Sequence, residues 1–503
     1  MHIDDEVRGA KLQRIALGRP PRTLELCSGS GGMSLGLSMA GFQLDAHVEM
    51  DPTAASTYAL NFPVPADLKA DEWIKARDMV ATRPEQLVHD LGIHEPVETA
   101  FDVVAAGLPC QAFARIGRSK LRSVKGDEDA FKNDPRAALY LRFLHYVEQT
   151  QPLAVLVENV PDILNFGGRN VPEEIGAFLD DLGYTTRYAL LNAAFYGVPQ
   201  MRERLFLIAI DKNAGIEPFF PEAVRSCVLP HGYRGSRRVA LKHVPAHGAR
   251  YVNVSQPEVG LPSAISVSEA LGDLPLITDH LTDPRSMRRR KLADRLPYRG
   301  AAAAGSYAAL MRNWPGRSSG ETSNGHLVRL TPRDFETFSR MSEGDDYPRA
   351  LSVAHARLEE RLNSMSPRPR RGSKLYEECY AQVVPPYDAS KFPNKWWKLK
   401  SDLPSRTLTA HMGKDTYSHI HWDSTQKRTV TVREAARLQS FPDFFSFSGQ
   451  MNAAFRQIGN AVPPLLAEAV GQSLLEALSL AARSVTPPEG HSEMETQLEA
   501  SSA

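Results

Sequence analysis

Residues 107–111 read Gly-Leu-Pro-Cys-Gln, and 48 residues beyond Cys110 the chain reads Glu158-Asn159-Val160. A cysteine beside a proline-fixed turn is positioned before any ligand arrives, and nearby cations favour its reactive thiolate. Arg115 and Arg118 follow closely in sequence, and Arg202 and Arg204 are placed to reach it in space. A glutamate that ends an apolar run sits partly out of water, which raises its pKa and suits it to acid catalysis near neutrality. A glycine-rich turn, Ser28-Gly29-Ser30-Gly31-Gly32, lets backbone approach a ligand and opens a helix whose first amides are free. Together the three suit a thiolate attacking a flat heteroaromatic ring, an acid protonating that ring, and a bound cofactor supplying a group. Alone, each has a plainer reading: a buried apolar cysteine, a surface or capping glutamate, a tight strand-to-helix turn.

Two further groups extend the set. Glu49 lies about 20 residues past the glycine turn, where a carboxylate can accept hydrogen bonds from both hydroxyls of a ribose. The turn lacks the strict dinucleotide fingerprint and the Gly-Lys-Ser/Thr of a phosphate loop, so the spacing points to an adenosine-containing ligand. In Gln200-Met201-Arg202-Glu203-Arg204 an extended backbone puts Gln200, Arg202 and Arg204 on one face. Two guanidiniums on one face can grip a carboxylate, a phosphate or a carbonyl oxygen.

These residues need a scaffold, and residues 22–211 supply one. Apolar runs at 22–27, 43–49, 101–106, 153–158 and 205–210 read as strands, with helical spacing between them, as at Met33–Ala40. That alternation predicts an α/β fold with a mostly parallel sheet covered by helices on both faces. Each candidate residue then falls just after a strand, where open parallel sheets place their ligand crevice. From about 216 to 405 the alternation fades, and proline, arginine and loop residues become frequent. Basic clusters stand at 285–291 (RSMRRRK) and 368–371 (RPRR). Helices are expected around 432–440 and from about 464 to 483. The Ser-, Glu- and Pro-rich end reads as disordered.

Composition bounds the partners. At 503 residues the chain exceeds one ordinary core, and a formal net charge of +0 makes it no polycation, so any nucleic-acid surface requires local charge segregation. The four cysteines, Cys27, Cys110, Cys227 and Cys379, form no Cys-x-x-Cys pair. That argues against zinc and against a disulfide framework, and fits a reducing cytoplasm; no metal is expected. No apolar run approaches 18 residues, so no membrane span is expected.

The ordered motifs resemble those of the DNA cytosine-5 methyltransferases of the bacterial modification type. Glu25-Leu26-Cys27-Ser28-Gly29-Ser30-Gly31-Gly32 resembles the cofactor loop, Glu49-Met50-Asp51 the ribose block and Asp90-Leu91 the short acidic block. Pro109-Cys110-Gln111 resembles the nucleophile block, and Asp134-Pro135-Arg136 with Leu139 the next helix start. Glu158-Asn159-Val160 is similar to the glutamate block, Gln200–Arg204 to the paired-arginine block, residues 431–443 to the penultimate block and residues 457–464 to the last. The resemblance spans about residues 22–475.

The resemblance implies an S-adenosylmethionine-dependent methyltransferase (Rossmann-like) fold with a smaller loop-rich target-recognition domain. The organisation would be an extension at 1–21, a catalytic cofactor-binding domain at 22–215, target recognition at 216–430, C-terminal blocks returning at 431–484 and a tail at 485–503. Cys110 would attack carbon 6 of cytosine, and Glu158 would hold or protonate ring nitrogen 3. Arg204 would contact the base carbonyl and Arg202 would support the site. S-adenosylmethionine would be bound by Glu25, Cys27, Ser28, Gly29, Gly31, Glu49, Met50, Asp90, Leu91, Pro109, Leu139, Asn460 and Val462. The other partner would be double-stranded DNA with its target base flipped out. It would be contacted by Gln111, Arg115, Arg118, Arg288, Arg289, Arg290, Arg370 and Arg371. A cognate restriction endonuclease acting separately is a further expected partner. The last helix is expected to pack beside the first strand.

The sequence departs from the family's pattern in three places. Cys27 replaces the usual aromatic, Leu108 the usual phenylalanine, and Ala114 a common serine. Weaker adenine stacking and one lost phosphate hydrogen bond are implied. Two other readings compete: an RNA (tRNA) cytosine-5 methyltransferase of the same fold, and a catalytically silent DNA-binding regulator. The long recognition region favours DNA, and the intact Cys110 and Glu158 favour catalysis. An unrelated adenosine-binding enzyme finds no support in the sequence.

Overall fold

The computed structural model describes residues 3–109, 135–242, 244, 249–254, 257 and 260–484. Cys110, Gln111, Arg115, Arg118 and the expected tail at 485–503 lie outside the described residues.

Six strands form the central sheet: β1 (Arg22–Leu26), β2 (Gln43–Val48), β3 (Val103–Ala106), β4 (Ala154–Asn159), β5 (Tyr184–Asn192) and β6 (Glu203–Asp211). Their order is β2-β1-β3-β4-β6-β5, parallel except that β6 runs antiparallel to both neighbours. Every residue of β3 and β4 is buried, which explains their unbroken apolar runs. The expected strands are present with ends shifted by one or two residues. β5 escaped the sequence reading. It lies at the sheet edge, and half-buried Thr185 and Arg187 interrupt its apolar pattern.

Helices α1 (Asp5–Ala16), α2 (Gly32–Ala40), α3 (Pro52–Asn61), α4 (Pro84–Leu91), α5 (Pro135–Thr150) and α6 (Val171–Asp181) accompany the sheet. The expected N-terminal extension is therefore largely a helix, α1. It is capped by Asp4, whose carboxylate accepts from the amides of Glu6 and Val7. Lys11 on α1 is fully buried and donates to the carbonyls of Thr150 and Gln151 at 2.9 and 2.8 Å.

Residues 216–430 hold more helix than a loop-rich reading anticipates, including α7 (Tyr347–Asn363) and α8 (Lys374–Val383). Within this span Ile265–Leu274 and Tyr307–Trp314 contribute to the main core rather than to a separate one. Phe338, Tyr347, Trp396, Tyr417 and Ile420 build a second core, with Trp396 and Tyr417 stacked at 4.6 Å. Leu358, Leu362, Cys379 and Val383 build a third between α7 and α8.

The chain then returns through α9 (Val432–Leu438), α10 (Met451–Asn460) and α11 (Pro464–Arg483). α11 packs on α2 and α1, not beside the first strand as expected. Small residues cause this. A Cβ on Gly36 would stand 2.3 Å from the Pro464 carbonyl, and one on Gly471 would stand 2.8 Å from Ala40 Cβ, so the helices approach to backbone contact. The stretch 451–483 is long and apolar enough to cross a membrane by composition. Twelve buried residues of α11 account for that apolarity as core packing.

Candidate active site

The parallel strands deliver their ends to one edge of the sheet. β1 leads into Cys27, β2 into Glu49, β3 into Gly107-Leu108-Pro109, and β4 ends on Glu158-Asn159. Because β6 runs the other way, its first residues reach the same edge, with Asn159 opposite Leu205 and Glu158 opposite Phe206. A cavity of about 440 Å³ opens there, within the range of small-molecule sites. Glu25, Cys27, Ser28, Gly29, Glu49, Met50, Pro109, Leu139, Glu158, Arg202, Arg204, Asn460 and Val462 all line it.

The glycine turn takes its shape from left-handed backbone at Cys27 (φ 54°), Gly29 (φ 56°) and Gly31 (φ 88°). Gly31 does not line the cavity. It supports the wall from behind, where a Cβ would lie 2.3 Å from the Phe62 ring. The Glu49 carboxylate is clamped by two amides: Gly29 donates to Oε2 and Asp51 to Oε1, each at 2.8 Å. Burial raises the Glu49 pKa and these amides oppose it. A carboxylate has about four acceptor sites, so lone pairs remain for a diol. Met50, 69% exposed, lies beside it as a flexible apolar cover.

Cys27 is a poor nucleophile. Burial pushes its thiol up to about 12, with Glu49 and Glu25 adding to the rise. Glu25, fully buried on β1, is pushed up to about 8 by burial and accepts from the Ser34 hydroxyl. Ser34 in turn meets the Tyr58 hydroxyl at 2.8 Å.

Asp90 and Leu91 do not line the cavity, which corrects the expectation for them. They end α4, where Leu91 is core and Asp90 lies beside His89. Asp78 and Met79 line the wall instead. The Arg77 amide donates to the Glu49 carbonyl at 2.7 Å and fixes this pair next to Glu49. An Asp-Met pair in a loop carries little signal, whereas Asp90-Leu91 sits at the end of an amphipathic run and looked more like a motif.

At the other end of the cavity the Arg204 Nε donates to Glu158 Oε1 at 2.9 Å. Burial raises the Glu158 pKa, while Arg204 and Arg202 pull it back. Asn159 donates from Nδ2 to the Leu108 carbonyl at 2.8 Å, tying β4 to the Gly-Leu-Pro turn that leads to Cys110. Arg202 is fully buried and donates to the carbonyls of Leu408, Gly459 and Ala461 at 2.6, 3.0 and 3.1 Å. It thereby locks the last block against β6. Gln200 reinforces this lock: it accepts from the Leu408 amide and donates to the Leu438 carbonyl and the Gln439 side chain.

The penultimate block is a buried ionic frame. Arg428 makes a double contact with Glu434 at 2.7 Å for each nitrogen, and Glu434 also closes a capping box on Thr431. Arg437 bonds both Asp443 and Asp273. Arg433 donates to the carbonyls of Asn324, Pro442 and Phe445, so the segment around Asn324 docks on this block. Among the expected DNA contacts, Arg290 is engaged by Asp279 and the His326 carbonyl, and Arg289 by Asp283. Arg288, Arg370 and Arg371 are exposed.

The chain belongs to the C-5 cytosine-specific DNA methylase family, whose model matches residues 21–476. It is 35% identical to M.OihORF3336P of Oceanobacillus iheyensis, provisionally named a type II methyltransferase, over 90% of this chain and 95% of that protein. It is 30% identical to the type II methyltransferase M.AgeI of Thalassovita gelatinovora, over 91% of this chain and all of that protein (100%). A crystal structure of a prophage protein of Escherichia coli, provisionally a DNA modification methyltransferase, shares the fold. Its TM-score is 0.56 at 22% identity, over 91% of this chain and 99% of that one. The protein is thus a DNA cytosine-5 methyltransferase with a mostly parallel α/β catalytic sheet. Among the described residues no group of three or more His, Cys, Asp or Glu side chains is arranged to hold a metal ion.

Proposed function

We propose that the cavity holds S-adenosylmethionine at its glycine-turn end and a cytosine extruded from double-stranded DNA at its Glu158 end, with Cys110 as the nucleophile. One observation carries this reading. The amide-clamped Glu49 carboxylate, the Pro109 turn and the Glu158–Arg204 pair line a single cavity. The fit to the cofactor rests on the donor set: a buried carboxylate with spare lone pairs, glycine backbone, and apolar Met33, Met50 and Leu139. When bound, S-adenosylmethionine supplies an electrophilic methyl group.

The residues divide the remaining work. The Cys110 thiolate adds to carbon 6 while Glu158 gives a proton to ring nitrogen 3, so that electron density collects at carbon 5. After carbon 5 is methylated it loses its proton to solvent water, the bond from sulfur to carbon 6 breaks with the electron pair returning to the Cys110 thiolate, and the proton on nitrogen 3 returns to Glu158. Arg204 orients the Glu158 carboxyl and meets the base carbonyl. Arg202 acts at one remove, by holding the last block in place. Asp78 and Met79 take the cofactor-binding role expected of Asp90 and Leu91. Exposed Arg288, Arg370 and Arg371 meet DNA phosphates. The names of the type II relatives support a separately acting endonuclease as a partner.

The test is to supply labelled S-adenosylmethionine with duplex DNA and, separately, with transfer RNA, then to sequence the DNA after bisulfite treatment. The reading expects 5-methylcytosine at a fixed DNA position. Label confined to RNA, or none despite bound cofactor, would overturn it.

A further inference from the structure

Five carboxyls and four guanidiniums line the cavity among the described residues. Three of the guanidiniums are spoken for. Arg77 donates to the Glu72 carboxylate and two carbonyls, Arg202 to three carbonyls, and Arg204 to Glu158. Arg456 has no ion pair or side-chain hydrogen bond to any described residue. It stands on α10 four residues before Asn460, so the two share a helix face, and both line the cavity.

Its stem is seated. A Cβ on Gly413 would lie 2.4 Å from Arg456 Cγ, so the stem passes close over this backbone and a side chain at 413 would force it to shift. Arg456 is itself exposed at the cavity rim, and a stem held beside backbone has lost part of its rotamer freedom before an anion arrives. The anion must also enter past Glu49, Asp51 and Asp78, which repel it. The sulfonium and ammonium of an S-adenosyl amino acid suit that acidic lining, and its carboxylate does not.

We infer that Arg456 binds the α-carboxylate of S-adenosylmethionine and is a cofactor-affinity determinant of this cavity, an inference that rests on the cofactor placement proposed above. A charge-assisted, two-pronged contact of this kind is worth about tenfold or more in affinity.

The experiment compares S-adenosylmethionine with decarboxylated S-adenosylmethionine, which lacks only that carboxylate, by titration calorimetry on the full chain. Arg456→Gln keeps the carbons that pass Gly413. The wild-type protein is expected to bind the decarboxylated compound about tenfold or more weakly. Arg456→Gln is expected to bind S-adenosylmethionine at that weaker level, with the two compounds now within about twofold, and Arg456→Lys to recover part of the difference. Unchanged S-adenosylmethionine affinity in Arg456→Gln overturns the inference, and weaker duplex DNA binding with a shallower salt dependence would then assign Arg456 to a phosphate. Equal losses for both compounds also overturn it, since they report damaged packing. Failure of the wild-type protein to bind either compound overturns the cofactor placement as well.

Discussion

Arg204 and Glu158 meet at 2.9 Å, Nε to Oε1, across two antiparallel strands. Neither is a surface group, and the pair faces the cavity that the glycine turn closes from the other side. Burial holds the Glu158 proton on to higher pH than an ordinary glutamate would, while Arg204 limits the rise. A carboxyl balanced in this way can lend its proton to a ring nitrogen and take it back.

The first prediction concerns that proton. Glu158→Gln is expected to lower kcat by about 100-fold or more, in line with general acid catalysis, and to leave cofactor affinity within about twofold. In the proposed mechanism the acid form of Glu158 is the active one, and its pKa is raised, so the wild-type rate is expected to fall as pH climbs through that raised value. The variant should lose this descending limb. A kcat–pH profile checks both statements, and a limb retained in the variant assigns the acid elsewhere.

Cofactor affinity separates the two acidic positions between β2 and β3. Asp78→Ala and Glu49→Ala are each expected to weaken S-adenosylmethionine binding by about tenfold or more, as lost hydrogen bonds to a charged group do. Asp90→Ala should leave it unchanged, because Asp90 does not reach the cavity. Calorimetric titration of the three variants decides. A loss on Asp90→Ala would contradict the placement found here.

That contrast shows how much was legible beforehand. Apolar runs marked five of the six strands because buried strands must be apolar throughout, and the glycine turn, Glu49, Glu158 and Arg204 stand at strand ends where topology places ligands. β5 was hidden by its half-buried polar residues, and α1 by an N-terminal stretch without a clean apolar stripe. Asp78 and Arg456 were hidden for a different reason. Their roles come from where a loop and a distant helix fold back to, and neither spacing nor residue type signals that. Arg433, Glu434, Arg437 and Asp443 were legible as a motif but not as a scaffold, since only contacts reveal their partners at Arg428, Asp273 and Asn324.

Glu25 gives a stability prediction. Its folded carboxyl keeps its proton up to about 8, against an ordinary 4.5, because of burial. The protonated form is the one the fold favours, so its contribution is complete below about 4.5 and is lost as pH rises toward 8. Glu25→Gln removes that loss. The variant should melt higher than the wild-type protein at pH 8, with the gap closing toward pH 5. Thermal unfolding across that range checks it, and a gap independent of pH would contradict the burial argument.

Helix packing can be tested with two glycines. Gly36→Ala drives a methyl group to within 2.3 Å of the Pro464 carbonyl and 2.5 Å of Ala467 Cβ. It should cost about 1–3 kcal/mol by overpacking. Gly9→Ala on α1 meets nothing within 4 Å and should stabilise by about 0.5–1 kcal/mol. Denaturant unfolding of both variants measures the contrast.

The central claim is a covalent bond from Cys110 to the target base. Plasmid DNA copied with 5-fluorocytosine in place of cytosine stops the reaction after methyl transfer, because fluorine cannot leave as the proton does. With S-adenosylmethionine present, the wild-type chain is predicted to form a complex that survives denaturation, with peptide mapping placing the nucleotide on Cys110. Cys110→Ala should form none while binding cofactor normally. A complex that persists in Cys110→Ala, or an adduct mapped to another residue, would contradict the account.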